Sequence, residues 1–171
     1  PWIVFLNSPG LFDVPFLAPA DDSAARRPID EDGFRIYLSP VFSPDGSTVA
    51  YAFAAEALEI RFLTLATGER TTWSVSVPAV AVRHLSYSRN GTHLAFLATS
   101  PPDRSNNISP LELATGVVPQ LPFTSSPAYN NAPVWSRDGA TIYYVAGDSS
   151  AVGDVYSMPS DTGAGVDNTG R

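Results

Sequence analysis

Two histidines, His84 and His93, and a few turn aspartates are the residues of this 171-residue chain best placed for acid–base or metal chemistry. His93 follows an Asn-Gly pair and alternates with Thr92 and Leu94, so it reads as an exposed strand residue. Asp45 and Asp138 each precede a glycine in a turn and offer one carboxylate apiece, whereas a calcium loop needs several closely spaced oxygen ligands. Asp30-Glu31-Asp32-Gly33 is the densest acidic run, and it has no second half. No Gly-x-Ser-x-Gly elbow occurs, so a serine hydrolase domain is not encoded here. Cysteine is absent, which removes disulfides, thiolate metal sites and cysteine nucleophiles. These residues predict a chain without catalytic groups, metal or cofactor.

The elements that would position such residues follow from an internal repeat, the feature to settle first. Gly46, Gly91 and Gly139 lie 45 and 48 residues apart. Four residues before them stand Phe42, Tyr87 and Trp135; three before, Ser43, Ser88 and Ser136; one before, Asp45, Asn90 and Asp138. Three after come Val49, Leu94 and Ile142, and five after Tyr51, Phe96 and Tyr144. Each unit reads as an aromatic-ended strand, a turn at "SPDG", "SRNG" or "SRDG", and an alternating second strand. Asp-Gly and Asn-Gly supply the residue that tolerates positive φ, and Pro44 presets the first corner. Asp45, Gly46, Asn90, Gly91, Asp138 and Gly139 are thus expected to be structural turn residues.

Gly68, Gly116 and Gly163 mark a second turn after a third strand, and fourth strands are expected at Arg70 to Val75, Val117 to Phe123 and near Val166. Glu59, Asn107 and Asp154 form a polar column at the third-strand entrance, read as a cap on backbone amides. "WIVFLN" matches "TIYYVA" and "FDVPFLAPADD" matches "GDVYSMPSDTG", which places Asp13 in that column. The expected organisation is a single β-propeller domain or fragment over 1–171. Its blades fall at about 1–30 (partial), 34–75, 81–123 and 129–171, each an antiparallel sheet of four strands. The fold class is all-β.

The columns carry a resemblance. "PVFSPDGSTVAY", "PVWSRDGATIYY" and "DVYSMPSDTG" resemble the WD40-like (PD40) repeats of TolB-type propellers. Similar blades occur in the propeller domains of prolyl-oligopeptidase-type peptidases and tricorn-like proteases. The middle unit departs from the pattern, with no proline and with Asn90 in place of aspartate. TolB-like propellers usually have six blades, so just under four implies part of a larger ring; a four-bladed ring and self-association of chains are the alternatives. The resemblance implies a periplasmic or extracellular protein.

The formal net charge is −7, from 17 acidic and 10 basic residues, and all ten basic residues are arginine. An acidic surface repels phosphate backbones and anionic membranes, so neither nucleic acid nor a membrane is an expected partner. No run of 18 apolar residues exists for membrane insertion. The start at "PWIVFL", without methionine or a basic leader, reads as processed or trimmed.

In propellers, the connections between blades and the loops between second and third strands crowd one mouth of the channel. Arg35, Tyr37, Arg83, His84, Tyr129, Asn130 and Asn131 are accordingly the candidate partner-binding residues, and their partner is expected to be a protein or peptide. "TSPPDRSNN" at 99–107 and "AGDSSAVGD" at 146–154 are expected as long loops over the same mouth. The expected function is a non-enzymatic interaction module of the TolB-like type. The alternative is a substrate-gating propeller of a serine peptidase whose catalytic domain lies outside these residues. The two Asn-x-Ser/Thr sequons, at Asn90 and Asn107, are read as coincidental with repeat columns.

Overall fold

The computed structural model describes residues 1–7, 13–30, 36–54, 58–75, 81–100, 105–116, 129–147, 153–160 and 166–167. The chain divides into two compact units, Pro1–Val75 and Ser76–Arg171. Every described element is a strand.

The first unit holds two sheets. β1 (Trp2–Asn7), β2 (Val14–Pro19) and β3 (Arg27–Pro28) form one meander; β4 (Ile36–Phe42), β5 (Thr48–Ala54), β6 (Leu58–Thr64) and β7 (Arg70–Ser74) form the other. The second unit holds β8 (Ala81–Tyr87), β9 (His93–Ser100) and β10 (Ser105–Glu112), then β11 (Tyr129–Trp135), β12 (Thr141–Gly147), β13 (Asp154–Pro159) and β14 (Val166–Asp167). Neighbouring strands in each sheet are consecutive and antiparallel. The fourth strand expected at Val117 to Phe123, and Gly163, lie outside the described residues.

The repeated hairpin closes through one clasp, seen three times. Gly46, Gly91 and Gly139 donate their amides to the Ser43, Ser88 and Ser136 carbonyls at 2.8, 2.9 and 3.1 Å. Each serine hydroxyl also accepts the amide five residues on, from Thr48, His93 or Thr141, at 2.9–3.0 Å. Each then donates to the turn side chain: Ser43 to Asp45 at 2.6 Å, Ser88 to Asn90 at 2.8 Å, Ser136 to Asp138 at 2.6 Å. The serine column, which has no assigned role in the sequence reading, ties both ends of the turn. Gly91 sits at φ +72°, a conformation that costs side chains with a Cβ.

Cross-strand register corrects one alignment. Asn7 pairs with Val14, just as Ala146 pairs with Asp154 and Phe53 with Glu59. Val14 therefore occupies the polar column, and Asp13 lies one residue before it. The stacked pairs agree: Phe5 on Phe16 at 6.0 Å and Tyr144 on Tyr156 at 5.7 Å are equivalent cross-strand neighbours. Glu59 does not act as the amide cap expected of its column; its carboxylate accepts from Arg61 Nε at 3.0 Å.

Each unit buries one sheet face against the next sheet. In the first, Leu17 and Ile29 pack with Val49, Tyr51, Phe53 and Leu63. In the second, Ala95, Leu97 and Ile108 pack with Trp135, Ile142, Tyr144 and Met158. Fully burying each large side chain stabilises by about 1.5–3 kcal/mol. A polar contact pins each interface. The Trp135 indole donates to the Ser86 carbonyl at 2.9 Å. In the first unit the Tyr51 hydroxyl donates to Asp30 Oδ2 at 2.8 Å, and Arg61 reaches the same oxygen at 2.7 Å. The Arg61 guanidinium also lies 3.4 Å over the Phe53 ring. Burial, then the bond to Asp30, pushes the Tyr51 hydroxyl well above its ordinary pKa, so it remains a donor.

Three outcomes follow. Gly91→Val is expected to cost about 1–3 kcal/mol, read as a lowered thermal midpoint, because a β-branched residue resists this φ. Asp30→Asn is expected to cost about 1–3 kcal/mol in denaturant unfolding, by taking from Arg61 one of its two counter-charges while Glu59 remains. Hydrogen bonds from Ser43, then Ser47, hold the Asp45 carboxyl at about 2. Its folded pKa is depressed, so its contribution is present above the ordinary carboxylate range and is lost as pH falls through about 2. In an NMR titration the Ser47 amide, bound to Asp45, should move with that midpoint. The Thr92 amide, bound to neutral Asn90 at 3.2 Å, should not.

Candidate functional site

The first strand of each complete sheet carries the same irregularity. Register shifts between Leu38 and Val41, between Arg83 and Ser86, and between Asn131 and Val134. At each shift two residues oppose one, which is a β-bulge. The first bulge residues are Ser39, His84 and Ala132, at φ +50°, +50° and +48°. All three stand seven residues before the turn glycine. The single residues opposite are Tyr51, Phe96 and Tyr144, the aromatic column of the second strand. A side chain with a Cβ held in this left-handed region costs about 1–3 kcal/mol. Its recurrence at three equivalent, non-glycine positions marks a built feature that bends the strand and re-aims its side chains.

The candidate binding residues gather around these bulges. Arg83 and His84 are exposed on β8, and Asn131 is exposed on β11. β11 packs alongside β8 and β9 in the second unit. Asn131 Oδ1 accepts the Ala132 amide at 2.9 Å, holding the bulge and leaving its NH2 group as a donor. Partial burial of its ring, then the Arg83 guanidinium, holds His84 below the ordinary histidine pKa. The imidazole is therefore neutral at pH 7, with one donor and one acceptor nitrogen. For Tyr37, Tyr129 and Asn130 only the backbone is described, paired with Phe53, Gly147 and Ala146. Arg35 lies outside the described residues. In its chemistry the cluster is a cation, a neutral imidazole and an amide donor, a set suited to polar and carboxylate groups.

Two sequence expectations change here. His93 is half-buried, its ring 5.8 Å from that of Trp135, rather than an exposed strand residue. Its Nδ1 lies 2.8 Å from Thr92 Oγ1, a spacing that resembles a nucleophile–base pair. The Thr92 hydroxyl, however, also has Asn90 Oδ1 as an acceptor at 2.8 Å, within the turn clasp, which accounts for its place without a catalytic role. The expected loop at 99–107 is shorter than the sequence suggests. β9 continues to Ser100 and β10 begins at Ser105, with Ser100 and Ser105 paired and Thr99 Oγ1 donating to Asn106 Oδ1 at 2.8 Å. Similarly, β12 extends through Ala146 and Gly147. Among the described residues, no group of three or more His, Asp or Glu is gathered as a metal site.

The first unit also holds a pocket of about 70 Å³ that no residue pattern in the chain signals. Leu17, Pro28, Ile29 and Leu63 form its apolar wall, and Arg27, Gly68 and Arg70 complete the lining. Arg70 Nη2 donates to the Ile29 carbonyl at 2.6 Å. Its volume corresponds to about two waters. The bulges had a signal that was available: Pro40 and Pro133 lie inside first strands, where proline is confined to edges and bulges.

No family model and no curated protein sequence matches the chain. Solved structures do. A protein described as a TolB from Agrobacterium tumefaciens aligns over 97% of this chain and 60% of its own, at 16% identity and a TM-score of 0.74. The β-propeller domain of the trilobed protease from Pyrococcus furiosus, described as having an open velcro topology, aligns over 92% and 50%, at 17% identity and 0.63. A puromycin-hydrolyzing peptidase of Mycobacterium tuberculosis aligns over 91% and 24%, at 12% identity and 0.64. The chain thus spans about 60% of the length of the TolB structure and less of the others. Its fold is the β-propeller built of antiparallel blades, of the kind found in TolB and in the propeller domains of peptidases.

Proposed function

We propose that the chain is a non-enzymatic module that binds a protein or peptide through the end of its blades where the first strands enter. The observation that supports this reading is the bulge repeated at Ser39, His84 and Ala132. Backbone strain sustained at equivalent positions is a feature of binding and active sites, where it holds side chains in place. In the second unit it accompanies exposed Arg83, His84 and Asn131. Binding residues on loops and strand ends of a rigid scaffold are the common arrangement. The net charge of −7 argues against nucleic acid and toward polypeptide partners with basic or neutral surfaces, while Arg83 offers a local counter-charge to a partner's carboxylate. A periplasmic or extracellular location follows from the resemblance to TolB-type repeats. No cofactor is required.

A second reading is the substrate-gating propeller of a serine peptidase of the prolyl-oligopeptidase type. The likeness in fold to the mycobacterial peptidase, a quarter of whose chain it matches, favours keeping it. In that case a catalytic domain belongs to the same polypeptide, and the blade ends screen peptides on their way to it.

The test is to pan a random peptide display library on the 171-residue chain and measure the selected peptides by titration calorimetry. Arg83→Glu and Asn131→Ala are expected to weaken binding at least about tenfold, or 1.4 kcal/mol. Arg89→Glu and Arg137→Ala, in the hairpin turns of the same unit, should leave it unchanged. Binding lost only in the turn variants, or no selected binder, would overturn the reading. Peptide hydrolysis by the native polypeptide, blocked by a serine-directed inhibitor, would replace it with the second.

A further inference from the structure

The chain carries a net charge of −7, yet two of its ten arginines line one pocket in the first unit. That pocket, of about 70 Å³, lies among the last two strands of each sheet of the unit. Leu17 and Arg27 come from β2 and β3, Leu63 and Arg70 from β6 and β7, and Ile29 follows β3 directly. Leu17, Ile29 and Leu63 are at most 5% exposed and make an apolar floor. Arg27 and Arg70 are exposed and stand at the rim.

Both cations are positioned without being neutralised. Arg70 Nη2 donates to the Ile29 carbonyl at 2.6 Å, which fixes the guanidinium and leaves most of its five N–H groups unspent. The Arg27 guanidinium lies 5.9 Å from the centre of the Trp2 ring, a cation–π contact that supplies no acceptor oxygen. Asp30, the neighbour of Ile29 in the chain, is already shared by Tyr51 and Arg61 at 2.8 and 2.7 Å. Among the described residues, neither Arg27 nor Arg70 forms an ion pair. Two like charges gathered over an apolar floor repel unless an anion joins them.

We propose that this pocket binds a carboxylate carried on a short apolar stem. A guanidinium fork matches the two oxygens of a planar carboxylate and holds them bidentately. With the head between the arginines at the rim, the stem enters toward Leu17, Ile29 and Leu63. A volume of about two waters takes a stem of about two carbons. Phosphate and sulfate fit less well: they have oxygens on every side, and those turned to the apolar floor lose their hydrogen bonds. The pocket shares no residue with the set proposed above (Arg83, His84 and Asn131) and does not rest on that reading.

An NMR titration of the isotope-labelled chain with sodium propionate, at constant ionic strength, tests this. The Arg27 and Arg70 Nε–H signals and the Gly68 amide should shift saturably, with a dissociation constant of about 1 mM for so small a ligand. Neutral propionamide should move none of them. Arg27→Met and Arg70→Met should each weaken binding at least about tenfold, as expected for loss of charged hydrogen bonds. Arg26→Met, beside the pocket but outside its lining, should leave binding unchanged. Circular dichroism verifies folding. Arg70→Lys replaces Arg70→Met if that variant does not fold, and should also weaken binding because it loses the fork. Trialanine binding more tightly than propionate, with its C-terminal amide silent, assigns the carboxylate to a peptide end; trialanine binding no better assigns it to a free acid. The proposal is overturned if propionate gives no saturable shift, if inorganic phosphate binds as tightly, or if both arginine variants bind like the parent.

Discussion

Burial of one sheet face against the next is the constraint on which everything else depends. A short meander has two faces, and hairpins by themselves are marginally stable in water. The second unit meets this by closing Ala95, Leu97 and Ile108 under Trp135, Ile142 and Met158; the first closes Leu17 and Ile29 onto Val49, Tyr51 and Leu63. Each contact is oriented by an aromatic ring whose polar tip crosses between sheets. Trp135 uses a backbone carbonyl, and Tyr51 uses a buried aspartate that Arg61 also holds. The same need is satisfied by a neutral pair in one place and by an ionic one in the other.

The bulges belong to the same packing problem. In each complete sheet the extra residue of the first strand lies opposite the aromatic of the second, Tyr51, Phe96 or Tyr144. A bulge bends and twists its strand, and it turns the left-handed residue out of the regular alternation. The scaffold requirement thereby leaves Arg83, His84 and Asn131 exposed beside the bulges. The residues beside the bulges differ from unit to unit because only their backbone conformation is shared.

Much of this was legible in the chain. The turns were, because their bonds run between residues two to five apart and need only serine, aspartate or asparagine, and glycine in order. The strands and their aromatic columns were, because alternation reports which side faces apolar neighbours. The site was legible only as a region. His84 was singled out for its position, but neither its left-handed backbone nor the bulges at Ser39 and Ala132 follow from residue types that tolerate many conformations. Pro40 and Pro133 were the overlooked signs. His93 looked exposed because it alternates with the apolar Leu94 beside an Asn-Gly turn; what covers it is Trp135, from another strand.

The sequence by itself therefore determined the reversals, the antiparallel hairpins and the all-β class, since these arise from short-range bonds and period-two patterning. The tertiary structure decided what equivalent residues do. Ile142 and Ile3 fill the same column, yet one is sealed and the other open. Asp30, an undistinguished member of an acidic run, becomes an internal anchor through Arg61, 31 residues away. Burial depends on which surface arrives from a distance, and a repeat written in local chemistry does not record it.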